Sequence, residues 1–189
     1  MTNLIRTAAL AALLSLAPLA VRAAEPGYAD LGKFAPTEGC QFVEVNLGGP
    51  LLKLAAAFVD KDEPQAAALI RSLKHVRVNV VGFNEDSHAG TTERMGEVRR
   101  SLESDGWAQI VTVREKEKSD DVVVYVKMNA SEAIEGLVVT VLDRGSRQAV
   151  LVNVVGNIKP EQLSALGKGL HIDGLSGIDW SKPVTLKRT

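Results

Sequence analysis

The sequence predicts an α+β fold: a single domain built on a mainly antiparallel sheet of five to six strands, with helices packed on one face. Three observations lead there. The chain has 189 residues, 46% of them hydrophobic and 24% charged, which suits one globular domain able to bury its own core. Apolar residues recur at helical spacing in three stretches before Asp105, and from Trp107 onward the period falls to two. The links between these later strands are short and polar, whereas parallel crossovers need a dozen or more residues.

Residues Met1 to Ala24 differ in composition from the rest of the chain. Arg6 supplies a basic start, Ala8 to Leu16 is an uncharged Ala/Leu run, and Val21-Arg22-Ala23 offers small or medium side chains for cleavage. This three-part pattern predicts a secretory signal peptide over residues 1–23. A membrane anchor is the competing reading. Only 15 residues from Thr7 to Val21 lack a charge and Pro18 interrupts them, while a spanning helix needs about 20. Cleavage after Ala23 removes Arg6 and Arg22 and no acid, so the mature chain is the more acidic one.

Residues 24–40 hold Pro26, Gly27, Gly32, Pro36 and Gly39 and read as an extended or loosely ordered leader. The α+β body is expected over 41–166. Gln41 to Leu47 alternates Phe42 against Val43, Val45 and Leu47, as a strand does. Gly48-Gly49-Pro50 turns the chain, and Leu51, Leu52, Leu54, Ala55, Phe58 and Val59 follow at helical spacing. Asp62 is placed to cap a second helix, with Gln65 three residues on, Pro64 in the first turn, and Leu69, Ile70 and Leu73 as its buried stripe. Lys74 and His75 fall where a helix C-terminus favours positive charge.

His75 to Phe83 reads as a strand with Val76, Val78 and Val80 on one face and Arg77, Asn79 and Val81 on the other. A loop over Asn84 to Gly90 leads to a third helix from Thr91 to Asp105, with a thin stripe of Met95, Val98 and Leu102. Its outer face offers Glu97 to Arg100 and Arg99 to Glu103 at pairing distances, and Gly106 is its left-handed stop. Trp107–Arg114, Asp121–Met128, Gly136–Leu142 and Ala149–Val155 then form four strands of a meander. Pro160 opens a short helix to Leu166, and residues 167–189 are a glycine-rich tail.

The order of certain segments resembles a known family. Val80-Val81-Gly82-Phe83, Gly106-Trp107 opening the meander, Val122 to Lys127, Leu151-Val152-Asn153-Val154-Val155-Gly156-Asn157-Ile158 and Leu163-Ser164-Ala165-Leu166 match in sequence. Over about Phe42 to Leu166 the chain resembles the bacterial family DUF4252, a domain of unknown function. The resemblance implies a small exported or envelope-anchored protein without an established activity, from a family that tends to accompany extracytoplasmic sigma-factor systems. Some of its members look like lipoproteins. This chain departs from them, since Cys40 lies well beyond the apolar run where a lipid-bearing cysteine belongs.

The residues themselves offer little chemistry. Twenty-two basic against 23 acidic groups give a formal charge of −1, so no electrostatic footprint for nucleic acid exists. The single cysteine, Cys40, excludes an intrachain disulfide framework; it reads as a small half-buried hydrophobe or as a free thiol able to pair with another chain. No G-x-S-x-G elbow is present, and Gly167-Lys168-Gly169 follows a helix rather than a strand, which makes it a helix stop. His75, His88 and His171 are far apart and form no metal motif. The one local cluster is Glu85-Asp86-Ser87-His88, where Glu85, Asp86 and His88 are candidate contacts for a cation or polar ligand; a solvated loop that satisfies the following helix is the favoured reading. Asp120 and Asp121 read as a solvated turn. Trp107, Phe83 and Tyr125 read as packing groups, and Trp180 in the tail as either an anchor on the body or a partner contact. Asn129-Ala130-Ser131 matches a glycosylation sequon.

The expectation is therefore an exported, periplasmic or secreted, non-catalytic binding or regulatory module with an envelope protein as partner. No catalytic residue, metal site or cofactor is assigned, nor nucleic-acid binding or stable membrane insertion after cleavage; the oligomeric state stays open. Two alternatives are kept: a small-ligand or lipid carrier with an apolar pocket between the Leu51 to Leu73 helices and the sheet, and an enzyme acting through His88 or Asp86.

Overall fold

The computed structural model describes residues 25–59, 63–114, 121–131 and 133–159. Among them nine elements succeed one another in chain order: β1 (Phe42–Gly48), α1 (Gly49–Val59), α2 (Pro64–Ser72), β2 (Leu73–Gly82), α3 (Glu85–Ser104), β3 (Ala108–Arg114), β4 (Asp121–Met128), β5 (Ile134–Asp143) and β6 (Gln148–Ile158). The six strands form one antiparallel sheet in the order β1-β2-β6-β5-β4-β3. The expected α+β class is what forms. The meander β3 to β6 is intact, and β2 joins it along β6, with Val80 opposite Val150 and Gly82 opposite Gln148.

The helices do not share one face of the sheet. On one face α3 supplies Met95, Val98 and Leu102 to a core with Val81, Phe83, Trp107, Val123, Tyr125, Val138 and Leu151. On the opposite face Leu52 of α1 and Leu69 of α2 join Val122, Val124, Val126, Val139, Val152 and Val154. The reason lies in β4 to β6. Their valine runs have almost no polar alternation, and Val122 through Val126 are all buried, the pattern of a strand covered on both sides.

Residues 25–41 hold no helix or strand, yet they form a strap that completes the α3-side core. Ala29 and Leu31 are buried within that core, and Phe34 packs against it. Buried Asn153 of β6 holds the strap: its Oδ1 accepts from the Ala29 N–H at 3.0 Å, and its Nδ2 donates to the carbonyls of Gly27 at 3.1 Å and Leu137 at 3.2 Å. Gly27 and Gly136 make the crossing. A methyl on Gly136 would lie 2.5 Å from the Gly27 backbone and 2.6 Å from the Trp107 ring. Arg77 adds an outer clasp, donating to the Tyr28 hydroxyl at 2.7 Å.

Several local expectations change. α1 presents only Leu52 and Ala56 to the sheet, leaving Leu51, Leu54 and Phe58 exposed. α2 is capped at Glu63 with no side-chain bond, and Pro64 sits at its start; Asp62 lies outside the described residues. β2 begins at Leu73, so Lys74 and His75 are strand residues, and His75 bonds the Asn46 side chain across the β1–β2 ladder at 2.7 Å. α3 begins at Glu85 rather than Thr91 because Asn84 and Ser87 form a capping box. Gly106 takes the expected left-handed conformation, φ +76°. No described helix is long and apolar enough to cross a membrane. The 1–23 leader sequence, the Pro160–Leu166 helix and the 167–189 tail lie outside the described residues.

Candidate functional site

The candidate site forms where β2 hands over to α3 and the β5–β6 turn folds beside it. Phe83 is buried, and its N–H donates to the Arg147 carbonyl at 3.0 Å, tying the strand exit to the turn. Asn84 then caps α3: its Oδ1 accepts from the Ser87 N–H at 3.0 Å, and the Ser87 hydroxyl accepts from the Asn84 N–H at 3.0 Å. With these donors satisfied, Glu85 and Asp86 fall in the first helical turn, where the helix dipole favours acids. They are therefore helix residues, not loop residues. His88 lies one turn on, its ring tilted against Phe83 with 5.1 Å between centroids.

Across from them, the turn after β5 is built on Asp143, whose Oδ1 accepts from the Ser146 N–H at 2.8 Å. Arg147 closes that turn at φ 55°, the left-handed region that few side chains other than glycine and asparagine adopt. Its guanidinium stands 3.8 Å from the Glu85 carboxylate. Both groups are largely in solvent, so this pair is weak and open to exchange with another acid. Phe83, Asn84, Glu85, His88, Arg144 and Arg147 thus line an open cleft of about 250 Å³. A second hollow of about 390 Å³ shares Phe83, Asn84 and Arg147 with it and extends past Cys40, Gln41, Ser146 and Gln148. Cys40 is a half-buried free thiol there.

Two of the residues singled out by sequence, Glu85 and His88, therefore meet in one cleft. Asp86 is exposed in the same helical turn and does not line the cleft. Trp180 lies outside the described residues. Sequence reasoning missed Arg144 and Arg147. Both fall in the short polar stretch between the strands expected over Gly136–Leu142 and Ala149–Val155, and the pairing of Gly82 with Gln148 is what brings that turn to the α3 start. The chemistry available is recognition of an anion: two guanidinium groups, one imidazole, and an aromatic ring as a wall. Among the described residues no three His, Cys, Asp or Glu side chains are grouped to hold a metal.

A second polar group sits between α3 and the sheet, and it corrects the reading of Asp121 as part of a solvated turn. Arg99 donates to Asp121 Oδ2 at 2.6 Å and to Thr140 Oγ1 at 3.0 Å. Both ion-pair members are mostly buried. Arg99 is thus drawn to the sheet rather than to Glu103, which instead accepts from the Tyr125 hydroxyl at 3.3 Å. On the outer face of the helix Glu97 pairs with Arg94, not Arg100, at 2.7 Å. The space between α1–α2 and the sheet, where a carrier would hold its ligand, has Leu52, Leu69 and Leu73 packed with Val152, Val154 and Ile158.

Comparison with curated proteins and with solved structures yields no match. The family model for DUF4252, described as a domain of unknown function, matches residues 37–166. That span takes in the cleft and every described strand and helix, and it leaves the strap before Thr37 outside. The chain belongs to the DUF4252 family.

Proposed function

We propose that this chain is an exported binding or regulatory module of the bacterial envelope, without catalytic activity, and that it engages an acidic group of a partner protein at the cleft beside the α3 start. The observation that carries this reading is the convergence of Arg144, Arg147 and His88 around an open, partly aromatic cleft from two segments distant in sequence. The Glu85 carboxylate already occupies the position beside Arg147 that a partner's acid would take. Export is supported by the composition of residues 1–23, with its basic start, apolar run and small residues before Ala24.

The cleft is open and holds charge at its rim, which suits a docked side chain or loop more than a sequestered substrate. An acidic partner loop would exchange with Glu85 and gain charge-assisted bonds to both guanidinium groups. The test is recovery of partners from envelope extract by the tagged protein, alongside the Arg144→Glu, Arg147→Glu double variant. One envelope protein captured reproducibly by the parent and lost from the folded variant is the expected result. Equal capture by both would remove the cleft from the proposal. Turnover in a broad hydrolase screen, abolished by His88→Ala, would replace the binding reading with an enzymatic one.

A further inference from the structure

α1 is built the wrong way round for a helix that only covers a sheet. Its Leu52 and Ala56 face inward, while Leu51, Leu54 and Phe58 are 54%, 55% and 77% exposed. The spacing i, i+3, i+7 puts these three large apolar groups in one stripe on the side left uncovered by the sheet and α2. The helix leaves β1 without a linking residue, and β1 is the terminal strand of the sheet. β1 carries little of the usual protection of an edge. It has no proline and no bulge, and Glu44 is its one charge.

We propose that β1 and α1 together form a homodimer surface, in which β1 pairs antiparallel with β1 of a second copy about a two-fold axis at Val45 and α1 packs on α1 of that copy. Several features favour a second copy as the occupant. Pairing about Val45 sets Val43 opposite Leu47 and Glu44 opposite Asn46 of the other copy, so apolar groups meet on one face and no like charges oppose on the other. The position of α1 fits as well. It packs over β1 and β2, and with strands about 4.8 Å apart the axis brings the two α1 helices to about 10 Å, close to the 8–10 Å of packed helices.

Size points the same way. The seven residues of β1 and the 11 of α1 approach the roughly 20–30 residues a side of a standard interface. The stripe alone is a small patch. An anionic lipid surface is disfavoured, because Val59-Asp60-Lys61-Asp62-Glu63 succeeds the stripe with three acids against one lysine. The self-paired arrangement also closes on itself: one two-fold axis joins two sheets into a continuous one and leaves no β1 edge for a third copy.

Sedimentation equilibrium on the purified full chain tests this, with Leu54→Glu, Phe58→Glu as the interface variant. Both side chains are exposed, so the variant is expected to keep the parent's circular dichroism spectrum. The expected result is a dimer mass for the parent at micromolar concentration and a monomer mass for the variant. A second measurement reads the register. In a Cys40→Ser background, Glu44→Cys with Asn46→Cys should give a covalent dimer on mild oxidation, and Glu44→Cys alone should give much less. A parent that stays monomeric at about 100 μM, where mass action favours any biologically useful dimer, overturns the proposal. So does a dimer that survives the interface variant and fails to cross-link through positions 44 and 46.

Discussion

The Tyr125 hydroxyl lies at the edge of the α3-side core, donating to Glu103 at 3.3 Å. Burial first, and then the charge of Glu103, push its pKa from 10.0 up to about 12; Arg99 opposes the shift, while the Glu103 hydrogen bond and Asp121 add to it. The unfolded chain loses this proton near its ordinary pKa, and the folded chain holds it longer. The contribution of the neutral phenol to stability is therefore complete below pH 10 and is lost as pH rises from 10 to about 12. Urea unfolding across that range should show the parent losing stability relative to Tyr125→Phe. A constant difference between the two proteins would mean that the phenol is as free to ionise in the fold as outside it. The sequence identifies Tyr125 as a packing group, but not its neighbours. Arg99 and Glu103 sit at helix-pairing distance in sequence, and each is claimed instead by the sheet, through Asp121 and Tyr125. Which partner an arginine takes depends on the strand that passes beneath it, and that is a tertiary fact.

At the scale of elements, periodicity locates all six described strands to within a few residues, because alternation and short polar turns are local signals. Helix faces and helix starts are less legible. Spacing alone starts α3 at Thr91 because Gly90 reads as the end of a loop, yet the capping box at Asn84 and Ser87 carries the helix through Gly90. The signal is present as an asparagine followed three residues on by serine, a less familiar pair than the serine or threonine with glutamate. Gly90 is exposed, and a methyl there would meet nothing within 4 Å. Gly90→Ala should therefore stabilise the protein by about 0.5–1 kcal/mol through helix propensity alone, read as a raised urea midpoint with an unchanged slope. A loss of stability would place this residue outside the helix. α1 shows the opposite failure: its apolar residues cover almost the whole circumference, so spacing cannot tell the buried Leu52 from the exposed Leu54.

For the whole molecule, the two-faced sheet explains why the leader matters. α3 is a single helix with a thin stripe, and it leaves part of its face of β2, β6 and β5 to be closed by something else. The strap closes it with Ala29 and Leu31, and the Asn153 amide meets the backbone of Gly27 and Ala29 there. Sequence cannot show this, because Pro26, Gly27 and Gly32 mark a chain that lacks helix or strand, which says nothing about whether it packs. The strap also lies before Thr37, where the family match starts. A chain beginning at Thr37 should then retain every described helix and strand and still lose much of its stability. Removing the buried Leu31 side chain alone costs about 2–5 kcal/mol by analogy with core truncations, and stripping the Asn153 amide of its bonds to Ala29 and Gly27 adds about 1–3 kcal/mol. Together these reach the scale of a domain's total stability of about 5–15 kcal/mol. The truncated chain should melt well below the parent, and a peptide spanning Glu25 to Pro36 should raise its melting temperature in proportion to the logarithm of peptide concentration, as a ligand of the folded state does. Asn153→Leu in the truncated chain should weaken that rescue, since the peptide would lose its hydrogen-bonded anchor. Truncation that leaves the melting temperature unchanged would show that the α3-side core closes without the strap.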